Sequence, residues 1–487
     1  MKKKAILIVL FVLFPLVVSL ACTCGVLPFA ENIKEKAEEL LNKSDPAVVE
    51  QEPAEEIPVI EEPQPEEIEE VEEADEAEEA EEVVEPEEVV ILPGEELIIV
   101  LENFGVVEDE AYVGFVMKNQ KTDLSLTGVE YTINIMDGDG IIVGQENNKF
   151  PWLLPEQSLG IFFRASLDEE NPPAEKYNIV LEFEETSQPE LSQDPFTSEK
   201  IKLWEGGYWP VVTGVIKNSD TNIYTDIRTS ILCYNAAGEI VGGGYDYIDF
   251  VPGQGQMGFS TYSDNYDDVY SIEVFPILTY MSDSYEDTPE FWGMTYIPDE
   301  NYYLSDPDDI YGGTVIQSSL DDQTLEDVIL NVTFYDDEGY VISHGSKDID
   351  YFLPGDTVGI SPWIDSPDDL PSLSYYETRI FPGVYAEDFE LTENVFIVNS
   401  TELTGDYSDK VKVNFTNTYA KLVTEVDIFV LVYDASGNII GGGDTYYDEP
   451  TPAGGSGEYE IYVYYDSEYT VDSIKAWVVP SFWTDFE

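Results

Sequence analysis

Beyond residue 100 the apolar positions come in short alternating runs. Ile227, Thr229, Ile231 and Cys233 alternate with Arg228, Ser230 and Leu232. The same period of two runs through Val328, Leu330, Val332 and Phe334, and through Ile428, Val430 and Val432. Alternation in Val, Ile, Thr, Phe and Tyr predicts strands exposed to two different environments. Each run leads into a four-residue turn: Asp137-Gly138-Asp139-Gly140, Asn235-Ala236-Ala237-Gly238, Asp336-Asp337-Glu338-Gly339 and Asp434-Ala435-Ser436-Gly437. The closing glycines lie 98, 101 and 98 positions apart. A fixed period near one hundred residues predicts a tandem array. Around each turn the pattern predicts an opening strand (Val113 to Asn119, Val212 to Asn218, Gly313 to Ser319, Val411 to Asn417), a short strand after the glycine, a proline (Pro155, Pro252, Pro354, Pro452), and two further strands. Helical periodicity is absent over this stretch.

About seven short strands per hundred residues is the pattern of an immunoglobulin-like sandwich. The expected fold class is therefore all-β, with four tandem immunoglobulin-like β-sandwich domains at 97–198, 199–300, 301–388 and 389–487. The period is too long for propeller blades. The strand-turn segments Val332-Thr333-Phe334-Tyr335-Asp336-Asp337-Glu338-Gly339 and Phe429-Val430-Leu431-Val432-Tyr433-Asp434-Ala435-Ser436-Gly437 resemble the FxLYD-type immunoglobulin-like domains of bacterial and archaeal envelope proteins. The first repeat departs, with Met136 in place of the tyrosine, and the second has Asn235 in place of the aspartate. The resemblance implies an extracytoplasmic sandwich, often on lipoproteins, and brings no catalytic residues.

The first hundred residues have a different composition. Met1-Lys2-Lys3-Lys4 precedes an apolar run from Ala5 to Ala21, the form of a secretory signal peptide over 1–21. The junction Ser19-Leu20-Ala21-Cys22 resembles the lipobox of bacterial lipoproteins, which implies lipidation at Cys22, although Ser19 stands where that family usually has leucine. A retained N-terminal helix and plain secretion are the competing readings. Glu31 to Lys43 has the spacing of a short amphipathic helix. Glu50 to Glu88 holds Glu, Pro, Val, Ile and Ala without one Lys, Arg, Gly or aromatic residue. Like charge without core formers predicts a disordered acidic stalk over 22–96, with a partner-binding acidic tail as the alternative.

Charge narrows the partners. The chain has 21 Lys and Arg against 101 Asp and Glu, a net charge of −80. Such a surface repels nucleic acid and anionic lipid headgroups, leaving cations or basic surfaces as the natural counterparts. Three cysteines exclude a disulfide framework, and Cys233 reads as a buried thiol, so each repeat is expected to fold on its own core. His344 is the only histidine and has no acid at a fixed partner position. No catalytic arrangement is marked, and the expectation is a protein that is not an enzyme. The sharpest chemical candidate is a recurring acidic loop. Asp264, Asp267 and Asp268 in the second repeat match Asp365, Asp368 and Asp369 in the third, each shifted by 101 positions. Converging carboxylates suit Ca²⁺, the one cofactor considered; solvated loops whose aspartates cap turns are the alternative. Tyrosine-rich stretches (Tyr245 to Tyr247, Tyr302-Tyr303, Tyr446-Tyr447, Tyr462 to Tyr465) suit stacking on sugars, or ordinary strand exposure.

These readings converge on a lipid-anchored protein of the cell envelope. Its sandwiches would serve adhesion, scaffolding or binding of an envelope protein or glycan. A carbohydrate- or solute-binding lipoprotein accessory to a transporter or hydrolase is the alternative.

Overall fold

A computed structural model describes residues 96–487 apart from 108, 168–172, 189–190, 192, 205–209, 266, 306–308, 366–371, 388, 405–409 and 487. The expected signal peptide, the lipidation site Cys22 and the acidic stalk lie outside the described residues. The described chain is nearly all antiparallel β-structure; one short helix, Pro289–Trp292, capped by Thr288, interrupts it. All four repeats belong to a single compact unit, Glu87–Glu487.

Each repeat pairs a small sheet with a larger one. In the first, Glu110–Asn119 lies between Leu97–Val107 and Ser158–Ser166; the larger sheet sets Ser125–Asp137 between Ile142–Leu153 and Ala174–Glu182. The same order recurs three times. The small-sheet centres are then Val211–Asn218, Ile310–Ser318 and Lys410–Asn417, and the large-sheet centres Asn222–Tyr234, Leu325–Tyr335 and Val423–Tyr433. The first strand of each small sheet was not anticipated. Phe196–Trp204 and Thr295–Leu304 run across the expected boundaries at 198/199 and 300/301, and each pairs with the strand that follows it.

Two local devices recur because the backbone needs them. In every turn the Oδ1 of the first residue accepts two backbone N–H groups, from Asp139 and Ile141, Ala237 and Glu239, Glu338 and Tyr340, and Ser436 and Asn438. An amide oxygen serves as well as a carboxylate, which explains Asn235 in the second repeat. The glycine ending each turn has positive φ, between 77° and 87°. At the end of each small-sheet centre stands a buried pin. Asn119, Asn218 and Asn417 each donate Nδ2 to the carbonyls of two neighbouring loops; at the equivalent place in the third repeat Ser318 Oγ accepts the N–H of Leu320 instead.

Each repeat has a main apolar cluster between its own two sheets, as expected, but these clusters also take in residues of the neighbouring repeat. The outer face of each small sheet packs on the outer face of the next repeat's large sheet. Val116 shares an apolar cluster with Tyr234 and Ile240, Val215 with Tyr335 and Val341, and Val315 with Tyr433 and Ile439. Strand centres covered on both sides lose their alternation: Val211–Asn218 is buried along nearly its whole length. Lys410–Asn417 in the fourth repeat alternates buried and half-buried positions, and no sheet packs on its outer face among the described residues. The sheets thus stack large on small through all four repeats.

The residues at equivalent outward positions carry this arrangement. Opposite Val116, Val215 and Val315 in the small sheets stand Gly160, Gly258 and Gly359. A Cβ on them would lie 2.5 Å from Phe275, 2.2 Å from Thr333 and 2.4 Å from Trp477, all in the following repeat. In the fourth repeat the corresponding pair is Asn414 and Glu458, with Glu458 bound to Lys412 at 2.7 Å. The outward face of the first large sheet mixes polar side chains with the exposed Ile142 and Val180. Asn134 donates to Asn178 and accepts from Gln145. Met136 stands there in the place of the junction tyrosine.

Candidate functional site

The acidic loops come first. In the second repeat the loop does share a pole with the turn, as Tyr270 N donates to Tyr234 O at 2.7 Å. Asp264, however, is held by Arg164 of the first repeat at 3.1 Å, and that guanidinium also binds Glu110 at 3.1 Å. Asp267 is exposed and its Oδ1 accepts the N–H of Asp268. Asp365 is placed by its backbone opposite His344, while Asp368 and Asp369 lie outside the described residues. The aspartates of the second repeat are thus used for a junction ion pair and a local turn, and no group of three or more acidic, His or Cys residues suited to a metal ion occurs among the described residues.

The tyrosine stretches separate by position. Tyr302 and Tyr447 are buried. Tyr245 is exposed on one side and stacks under the fully buried guanidinium of Arg228, 3.8 Å from the ring centre. Tyr462 and Tyr464 stand out, each 53% exposed. They rim a cleft of about 710 Å³ between the third and fourth repeats.

This cleft is built by the stack. Its floor is Gly312, Gly442 and Gly443. A Cβ at Gly442 would meet Val430 O at 2.2 Å and Ser361 Cβ at 2.9 Å; at Gly443 it would meet Tyr462 O at 2.1 Å. The closest of these contacts are with carbonyls of the fourth repeat's own strands, and Gly442 against Ser361 is the approach that crosses to the third repeat. Ser361 Oγ donates to Gly312 O at 2.8 Å and closes the floor from the other side. The rim holds Trp363, 67% exposed and edge-on to Tyr464 with ring centres 5.6 Å apart.

Three carboxylates face the cleft, each oriented by a neighbour. Asp309 accepts from the Tyr311 hydroxyl at 3.1 Å, Asp444 pairs with Lys347 across the junction at 2.7 Å, and Glu460 lies 3.8 Å from Lys410. Burial first, then the charge of Asp309, pushes the Tyr311 phenol up to about 12, so it stays a donor at neutral pH. A smaller cleft of about 390 Å³ occupies the equivalent place between the second and third repeats, lined by Asp246, Tyr247, Asp249, Ser260 and His344. Trp363 borders both. His344 reaches Thr333 at 3.2 Å, and burial pulls its pKa down to about 4, so the ring is neutral at pH 7. Sequence reasoning singled out Tyr462 to Tyr465 but missed Trp363, Asp309 and Asp444. Their meeting depends on the packing of two repeats and leaves no spacing signal.

Comparison with known proteins adds no relative: no protein-family model matches this chain, and no curated protein matches it. Among the described residues no helix is long and apolar enough to cross a membrane. Cys233 is a free, buried thiol.

Proposed function

We propose that this is a non-enzymatic protein of the cell envelope, lipid-anchored at Cys22, that presents its stacked sandwiches for adhesion, scaffolding or partner binding. The observation that carries the reading is the interlocking of the repeats. Apolar clusters bridge all three junctions, and side-chain donors cross them as well. Asn103 and Asn301 donate to the carbonyls of Ile240 and Ile439, each at 2.7 Å, and Thr213 donates to that of Val341 at 2.6 Å. These three carbonyls are equivalent, each beside the bulge that follows the turn. A chain joined in this way holds recognition surfaces at fixed spacing, which suits binding more than turnover. The signal-like segment, the lipobox-like junction and the acidic stretch supply the attachment.

The test is acylation and location. Cells grown with a labelled fatty acid should yield a labelled protein in the membrane fraction, accessible to external protease. Cys22→Ser should lose the label and leave the membrane. A wild-type protein that is unlabelled and recovered in the cytoplasm would sink the proposal.

A further inference from the structure

We propose that the cleft between the third and fourth repeats, continued past Trp363 into the smaller cleft beside it, binds a neutral oligosaccharide. This rests on the partner-binding reading above and names the ligand class. Three observations point to it. First, Trp363, Tyr462 and Tyr464 are more than half exposed on one rim, around a floor that only glycine permits. Flat aromatic surface beside polar groups matches a pyranose, whose C–H face stacks on a ring while its edge hydroxyls seek acceptors.

Second, the carboxylates Asp309, Asp444 and Glu460 are each already oriented by a donor or a lysine. An ionised carboxylate accepts through about four lone-pair sites, so each keeps acceptor capacity for sugar hydroxyls. Lys347 and Lys410 offset part of the local charge and would compete with a cationic ligand. A chain of net charge −80 repels an anionic one. A neutral polyol fits best. Third, Trp363 borders both clefts, so a bound ligand can pass from one to the other. That geometry favours a chain of several sugar residues over a single one.

The full chain, purified in detergent, is titrated calorimetrically and by tryptophan emission. The probes are cellohexaose, chitohexaose and mannohexaose, the matching disaccharides, and hexalysine. At least one hexasaccharide should bind, about tenfold more tightly than its disaccharide. Trp363→Ala and Tyr462→Ala should each weaken it by about tenfold or more. Trp483→Ala, an exposed tryptophan outside the cleft, should change nothing. Thr445→Trp, which fills the cleft, should abolish binding with the melting midpoint unchanged. No hexasaccharide binding up to about 10 mM, binding that survives Trp363→Ala, or binding of hexalysine alone would each overturn the proposal. Because these titrations need no membrane, their failure is distinguishable from failure of the anchoring experiment.

Discussion

Replacing Gly359 by alanine puts a methyl group where the next repeat already stands. The new Cβ would lie 2.4 Å from two ring carbons of Trp477 and 2.5 Å from Leu431 Cδ1. Ordinary carbon contacts fall near about 3.5–4.0 Å, so the indole must retreat by roughly 1 Å. Trp477 sits opposite Phe429 in a four-stranded sheet, and that retreat disturbs the whole junction. Overpacking of this kind costs about 1–3 kcal/mol. Gly359→Glu adds a carboxylate with no partner in an apolar contact, which raises the loss by several kcal/mol.

The equivalent position in the fourth repeat already carries that side chain. Glu458→Gly gives up an exposed ion pair with Lys412, worth about 0–1 kcal/mol, and adds about 0.5–1 kcal/mol of strand flexibility. Calorimetry on the full chain should therefore rank the variants, with Gly359→Glu the least stable, Gly359→Ala next and Glu458→Gly near wild type. Gly359→Glu should also split the transition, releasing an early-melting component. An unaltered transition in Gly359→Glu, or a larger loss in Glu458→Gly, would refute the stacking argument.

Two further outcomes follow from buried polar groups. Asn417→Ala removes Nδ2 bonds to Lys421 O at 3.0 Å and Thr451 O at 2.9 Å, and the acceptor for Tyr419 N; urea unfolding should show a loss of about 2–4 kcal/mol. Stability should also depend on pH through the junctions. Burial, then Asp350, raises Asp427 to about 7, with Asp348 and Asp444 adding to the rise and Lys347 opposing it. Burial raises Asp249 to about 6, with Asp226 and Asp348 adding to it and Ser346 and Asn331 opposing it. The folded state therefore holds these protons more tightly than the unfolded state does. Their stabilisation is complete below pH ~4 and fades as pH rises through 6 to 7. His344, lowered to about 4 by burial beside Thr333, works in the opposite direction over pH 6.5 to 4. Asp427→Asn should raise the midpoint at pH 8 and flatten the profile between pH 5 and 8; an unchanged profile would remove the carboxylate from the account.

What could be read from the chain was local. The turn Asp336 to Gly339 announces itself because a side-chain acceptor, two polar residues and a positive-φ glycine must occur together. The strand Val328 to Phe334 is legible because its inner face is apolar at every second residue. Leu97–Val107 and Thr295–Leu304 were missed because they are edge strands broken by a register shift. The shifts at Ile99/Leu101 and Tyr296/Asp299 disrupt the period of two. The cleft was missed for a different reason: Trp363 and Tyr464 lie about a hundred positions apart, and only the docking of two sheets brings their rings together.

The stacking itself left a trace in the differences between repeats. A junction needs small or apolar residues on both faces, whereas an end needs polar ones. Gly160, Gly258 and Gly359 become Glu458, and Val116, Val215 and Val315 become Asn414, in the small sheet of the fourth repeat. Tyr234, Tyr335 and Tyr433 correspond to Met136 in the large sheet of the first repeat. Substitutions that look like drift within a repeat family thus track which sheet faces are buried in a junction and which are left open to solvent among the described residues.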